Sequence, residues 1–189
     1  VKLLKKLVKP TNVESFNFNH LNISSTENEA LKYLKKRRID SEIINKYKIG
    51  YIGYGEMLNP NNKNGETFKL KNRIYLPSYD SNGFLNYFTT RDFSGKAKKM
   101  KYINPEVNKE EIIFNERLIN WDGDVYLVEG PFDHIVIPNS IPMLGKNLYD
   151  LLYLTIQNKA KANVIVFTDG DAWKNGVQIF SKLNSGKME

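Results

Sequence analysis

The pattern of hydrophobic and polar positions is clearest in the last third of the chain, where short apolar runs alternate with amphipathic stretches. Residues 125–128 and 164–167 are apolar, rich in β-branched or aromatic side chains, and followed by a glycine turn. Such runs are typical of strands buried on both faces. Residues 141–144 form a similar run and predict a third strand.

Two helical patterns separate these runs. One begins near Asp133 and includes the apolar residues 135–137, and the other covers residues 147–158, with leucines at positions 148, 151, 152 and 154. Strands that alternate with helices in this way pair in parallel through right-handed crossovers. Residues 122–189 are therefore predicted to form an α/β unit, in which helices flank a parallel sheet.

A different pattern precedes residue 122. Residues 73–79 and 84–90 predict two strands joined by an Asp-Ser-Asn-Gly turn, and residues 29–39 have the spacing of an amphipathic helix. Thr26 and Glu29 predict a capping box at the start of this helix. We expect residues 29–121 to form a mixed α+β subdomain with a mobile loop at residues 59–65. Residues 1–28 are expected to be a linker or a peripheral segment.

Acidic residues follow two of the predicted strands: Glu129 and Asp133 after the first, Asp169 and Asp171 after the last. Parallel strands end at one edge of the sheet, about 4.8 Å apart, so Glu129 and Asp169 are expected to be close. Carboxylates held together repel one another unless a cation neutralises them. Because Mg²⁺ binds one or two carboxylates together with substrate phosphates, the sequence predicts a magnesium site, in which Mn²⁺ is a possible substitute.

Simpler interpretations of these residues remain open. Asp-Gly-Asp is also common in turns and at helix N-termini, and Asp133 suits the first turn of a helix. The chain has no cysteine and two histidines, which disfavours a zinc site. His134 lies in an apolar stretch and is interpreted as a packing residue.

The composition favours a polyanionic partner, because 28 basic residues outnumber 21 acidic ones and the net charge is +7. Basic residues cluster at 2–9, 32–38 and 91–101. The second cluster also fits the solvated face of an amphipathic helix. The third lies beside Phe93 and Tyr102, a combination typical of single-stranded nucleic-acid binding. No apolar run reaches 18 residues, so no membrane contact is predicted.

Two sets of motifs resemble a known family. Glu-Gly-Pro-Phe-Asp at residues 129–133 and Asp-Gly-Asp at residues 169–171 resemble the signatures of the TOPRIM domain. Upstream, an Arg-led strand from Arg73, a Gly hairpin, Arg91 and the Lys-Tyr-Ile-Asn of residues 101–104 resemble the DnaG-type primase RNA polymerase core, most closely in its phage forms. The resemblance covers most of residues 29–180.

The resemblance implies a DNA-directed nucleotidyltransferase that makes short RNA primers for DNA replication, on a single-stranded DNA template and from ribonucleoside triphosphates. It implies catalytic roles for Glu129, Asp169 and Asp171, with Asp133 joining them as a metal ligand. The residues expected to bind nucleotide or DNA are Arg73, Arg91, Lys101, Asn104 and Arg117.

The same resemblance implies a replicative helicase and a zinc-binding primase module as partners, and a cytoplasmic location in a bacterial or phage-infected cell. We expect the TOPRIM unit to be incomplete at its carboxyl end, since the family's further acidic motif would follow residue 189. A TOPRIM-type metal-dependent nuclease and a non-catalytic single-stranded nucleic-acid-binding module remain as alternatives.

Overall fold

The structure of the protein is a computed structural model that describes residues 7–19, 23–58, 66–97 and 99–185. The chain divides into two compact units, Val1–Pro77 with Tyr87–Val107 and Ser78–Asn86 with Asn108–Glu189. The domain boundaries expected at residues 28 and 121 stay a prediction. The predicted loop at residues 59–65 lies outside the described residues.

The amino-terminal half is built on an antiparallel sheet, and two helices lie between its first and second strands in the chain. Its strands are in the order β1-β2-β3-β4-β5, and β2 pairs with β3 along their length, from Gly50 opposite Tyr75 to Leu58 opposite Thr67. The two strands predicted around the Gly hairpin are confirmed as β3 and β4, although β3 begins earlier. The elements are α1 (Ser25–Lys36), α2 (Ser41–Tyr47), β1 (Glu14–Ser15), β2 (Gly50–Leu58), β3 (Thr67–Tyr79), β4 (Leu85–Asp92) and β5 (Tyr102–Ile103).

Helix α1 is amphipathic as predicted, but its cap differs. The Ser24 hydroxyl accepts a hydrogen bond from the Glu27 backbone N at 3.1 Å, so Ser24 is the N-cap. The capping box predicted for Thr26 and Glu29 is therefore wrong by two residues. Three acceptable cap residues, Ser24, Ser25 and Thr26, are consecutive here, and spacing alone does not distinguish them.

The carboxyl-terminal unit contains a three-stranded parallel sheet in the order β7-β6-β8. The central strand aligns Leu127 with Ile141 on one side and with Val166 on the other. This confirms the predicted parallel α/β arrangement. The elements are β6 (Val125–Val128), α3 (Pro131–His134), β7 (Ser140–Pro142), α4 (Asp150–Lys159), β8 (Val164–Val166) and α5 (Trp173–Ser185).

Two details of this unit differ from the prediction. Helix α3 ends at His134, directly before the apolar residues 135–137 that were assigned to it. Pro138 disfavours helical backbone at Ile137, so the helix does not continue through this stretch. Strand β8 is half-buried rather than buried on both faces, since within the described residues it pairs only with β6.

The core of this unit lies between the sheet and helices α4 and α5. Val125, Leu127 and Ile141 are fully buried, and each such side chain contributes about 1.5–3 kcal/mol relative to exposure. The buried stripe of α4 is formed by Leu152 and Ile156, whereas the predicted core positions 151 and 154 are exposed. This packing holds the carboxyl edge of the sheet in place. None of the helices in the described parts of the chain is long and apolar enough to cross a membrane.

Candidate functional site

The carboxyl edge of the parallel sheet brings two of the predicted acidic residues together. Glu129 directly follows β6, and its Oε1 accepts a hydrogen bond from the Asp169 backbone N at 3.2 Å. The pairing that positions them extends one residue beyond β8, where the Phe167 N donates to the Leu127 carbonyl at 2.8 Å. Asp169 is exposed and Glu129 is half-buried. The structure therefore places one acidic residue from each strand at a common, solvent-accessible edge.

The other two acidic residues differ in what they contact. The Asp133 side chain is exposed, and its Oδ2 accepts a hydrogen bond from the Gly130 backbone N at 3.1 Å. This contact caps the start of α3, as the simpler interpretation of Asp133 anticipated. Asp171 lies in a 3₁₀ turn, Gly170–Ala172, directly after the edge, and its side chain lies outside what the structure describes.

The carboxylates at this edge suit a magnesium ion that has further ligands outside the protein. Among the described residues, no three His, Asp or Glu side chains are grouped so that they could hold one ion. Glu129 and Asp169 supply carboxylate oxygens, and Mg²⁺ commonly takes one or two carboxylates and completes its shell with phosphates and water. The two described carboxylates therefore suit an ion that also takes oxygens from a substrate.

His134 lies behind this edge in a buried polar network, and its interpretation as a packing residue is confirmed. Its Nδ1 lies 2.7 Å from the Ser140 carbonyl, and its Nε2 lies 3.4 Å from the Asn115 side-chain nitrogen. These distances assign the proton to Nδ1, which donates to Ser140, while Nε2 accepts from Asn115. The Phe114 ring packs edge-on against the imidazole.

Asn115 is the centre of this network and was not identified from the sequence. Its Oδ1 accepts from the Tyr79 backbone N at 3.1 Å, and its own backbone N donates to the Ser78 hydroxyl at 2.8 Å. Its φ of 52° lies in the left-handed region, which asparagine tolerates better than most residues. The network joins the end of β3 to helix α3, which begins two residues after Glu129.

Arg73 is buried, with 5% of its surface exposed. Its two terminal nitrogens donate to the carbonyls of Met100 and Lys101, at 2.7 and 3.4 Å. Burial lowers the pKa of Arg73, and the nearby Asp92 carboxylate partly opposes that effect. The guanidinium thus holds the backbone of the basic loop at residues 99–101.

The other predicted nucleic-acid-binding residues have different partners. The Arg91 guanidinium lies 4.7 Å from the centre of the Tyr102 ring, and the Lys101 side chain is exposed. The Asn104 Oδ1 accepts from the Thr89 hydroxyl at 2.6 Å. Arg117 lies in the other unit, where its guanidinium stacks over Tyr79 at 4.5 Å.

Comparison with known sequences gives two partial relatives. No protein-family model matches the chain. An uncharacterized protein of Mycoplasma genitalium is 27% identical over 164 residues, which cover 82% of this chain and 68% of that protein. The DNA primase of Enterobacteria phage T4 is 36% identical over 77 residues, which cover 40% of this chain and 22% of that primase.

Comparison with solved structures gives longer matches. The DnaG catalytic core has a TM-score of 0.68 at 20% identity, and the match covers 85% of this chain and 60% of that one. A DnaG primase catalytic domain bound to single-stranded DNA has a TM-score of 0.67 at 17% identity, covering 87% and 64%. The Aquifex aeolicus primase, solved with its zinc-binding and RNA polymerase domains, has a TM-score of 0.67 at 24% identity, covering 83% and 47%.

These matches define the fold. The protein is a mixed α/β protein, and its three-stranded parallel sheet with flanking helices is consistent with a TOPRIM-like domain. More particularly, its fold is that of the catalytic core of DnaG-type primases, as the sequence motifs predicted. The chain spans about 60% of the length of the first of these cores.

Proposed function

We propose that the chain is the catalytic core of a DNA primase, which synthesises RNA primers on single-stranded DNA. The observation that carries this proposal is the fold match to DnaG cores across 85% of the chain. The acidic edge at Glu129 and Asp169 supports it, because the motifs that resemble the family's catalytic signatures lie there. Helicase and zinc-module partners belong to the same proposal.

Each acidic residue has a role in this proposal. Asp169 and Asp171 are the metal ligands, and Glu129 is either a further ligand or the acceptor of the proton from the attacking hydroxyl. The hydrogen bond from the Asp169 backbone orients the Glu129 carboxylate. Magnesium held by these residues would lower the pKa of an attacking 3′-hydroxyl, and a second ion would neutralise charge on the leaving pyrophosphate. Asp133 remains a candidate ligand, although its Oδ2 also caps α3.

The basic loop of the first unit is the proposed contact for template or nucleotide. Lys101 presents an exposed cation, and Tyr102 presents an aromatic ring with 41% of its surface exposed. Arg91 lies against that ring and is itself buried, with 7% of its surface exposed, and the Asn104 side chain bonds to Thr89. Cations beside an exposed ring can follow a phosphate backbone and stack a base. Arg117 is proposed as a further phosphate contact.

The test of this proposal is primer synthesis with acidic variants. The protein is incubated with single-stranded DNA, labelled ribonucleotides and Mg²⁺ or Mn²⁺, and RNA products are resolved on a gel. Asp169→Asn and Glu129→Gln should each reduce synthesis by at least about a hundredfold, the scale of a lost acid–base or metal contribution. Asp122→Asn is the matched control, because Asp122 is an exposed carboxylate paired with Lys161 away from this edge.

The outcomes separate the alternatives. Synthesis that persists in both acidic variants would contradict the assignment of the edge. Magnesium-dependent cutting of DNA without ribonucleotides would identify a nuclease instead. Binding of single-stranded DNA with neither synthesis nor cutting, and without change in Asp169→Asn, would identify a binding module.

A further inference from the structure

An open groove lies between helices α1 and α2 on the surface of the first unit. It has a volume of about 530 Å³, and its apolar lining includes Leu31, Ile39 and Ile44. Ile39 and Ile44 are almost fully buried, so they form the floor. Phe18, with 42% of its surface exposed, contributes an aromatic wall. None of the residues that line this α1–α2 groove belongs to the acidic edge or to the basic loop.

The floor of the groove is fixed by the way the two helices join. Arg38 has a left-handed φ of 61°, and the Ile39 backbone N donates to the Leu34 carbonyl at 3.1 Å, which closes the end of α1. The Asp40 Oδ1 then accepts from the Ile43 backbone N at 2.9 Å, which caps the start of α2. A ligand would therefore meet a preformed surface, which lowers the entropic cost of binding.

The rim of the groove is cationic. Lys35 and Arg38 line it, both are exposed, and no ion pair of the described residues involves either of them. Asp40 is the one acidic residue of this lining within the described chain, and one of its oxygens is already used in the helix cap. Cations above an apolar floor complement a ligand that has carboxylates beside an apolar side chain.

We propose that the α1–α2 groove docks an acidic segment of a partner protein, with one or two apolar side chains on the floor and flanking Asp or Glu against Lys35 and Arg38. The volume falls within the range of about 300–1,000 Å³ typical of ligand sites. Leu31, Ile39 and Ile44 offer aliphatic contacts that suit a peptide side chain, and Phe18 is the one aromatic residue among the described lining residues, whereas successive bases stack on flat rings. This proposal does not depend on the enzymatic activity.

The test uses a fluorescein-labelled synthetic peptide in which a Leu-Leu pair is flanked by glutamates. Binding to the full chain is followed by fluorescence anisotropy, and amide shifts locate the bound peptide. Lys35→Glu with Arg38→Glu tests the rim, and Leu31→Gln tests the apolar lining at a half-buried position. Lys46→Glu is the matched control, because Lys46 is exposed on α2 outside the groove.

The double variant Lys35→Glu and Arg38→Glu should weaken peptide binding by at least about tenfold, because it places glutamates of the protein beside glutamates of the peptide. Leu31→Gln should weaken it similarly, and Lys46→Glu should leave it within about twofold of the wild type. A peptide with serines in place of the leucines should not bind. Equal affinity of the rim variant and wild type, shifts confined to another surface, or displacement of the peptide by single-stranded DNA would each overturn the proposal.

Discussion

At the residue scale, the acidic side chains of the two motifs are engaged in different ways. Asp169 is exposed and offers its carboxylate to solvent, whereas Asp133 uses one oxygen to satisfy the Gly130 backbone N. One oxygen of Glu129 accepts a hydrogen bond from the Asp169 backbone N, and Glu129 is half-buried, so its carboxylate is less open to solvent than that of Asp169. Removal of a capping carboxylate costs stability, but removal of an exposed carboxylate beside another should not.

Asp133→Ala should therefore lower the free energy of unfolding by about 1 kcal/mol, because it removes the acceptor at the start of α3. Asp169→Asn keeps the shape of an exposed side chain and should change that free energy by less than about 0.5 kcal/mol. Urea denaturation of the two variants measures the difference. Equal destabilisation by both would contradict the distinction between cap and open carboxylate.

At the scale of elements, hydrogen bonds from buried polar side chains fix the positions of the basic loop and of helix α3. Asn115 joins the end of β3 to α3 through His134. In the other unit, Arg73 joins β3 to the basic loop through two backbone carbonyls. Each of these polar side chains is buried, so its removal leaves unsatisfied hydrogen-bonding groups.

Substitutions at Asn115 should separate the contribution of its side chain from that of its backbone. Both Asn115→Ala and Asn115→Gly remove the bonds to Tyr79 and His134, but alanine must also adopt a left-handed φ. Asn115→Ala should therefore be less stable than Asn115→Gly by about 1 kcal/mol. Thermal and urea unfolding provide the comparison, and an alanine variant as stable as the glycine variant would argue against the left-handed conformation.

Arg73 and Lys101 should affect DNA binding by different routes. Lys101→Met removes an exposed cation, so the logarithmic salt slope for single-stranded DNA should flatten by about 0.7, with little loss of stability. Arg73→Met removes charge-assisted bonds to the loop and should cost about 2 kcal/mol of unfolding free energy. Salt-dependent anisotropy together with urea denaturation measures both. If Arg73→Met flattened the slope without loss of stability, Arg73 would be a phosphate contact instead.

At the scale of the whole molecule, the features that could be predicted from the sequence are those that follow from the order of strands and helices along the chain. The parallel sheet and the shared position of Glu129 and Asp169 follow from strand periodicity and the direction of parallel strands. The buried roles of Arg73 and Asn115 depend on backbone groups more than 25 residues away in sequence, which no local pattern specifies. The Ser24 cap was missed for a different reason, since residues 24–26 are Ser-Ser-Thr and each of them can cap a helix.

The fold match across both units raises one central question, which is whether the chain copies a template. The most direct measurement is incorporation of labelled ribonucleotides on homopolymer DNA with Mg²⁺ or Mn²⁺. We predict that oligo(dT) directs incorporation of ATP but not CTP, that oligo(dG) reverses this preference, and that Asp169→Asn abolishes both reactions. Incorporation that ignores the template, or that survives in Asp169→Asn, would contradict the account.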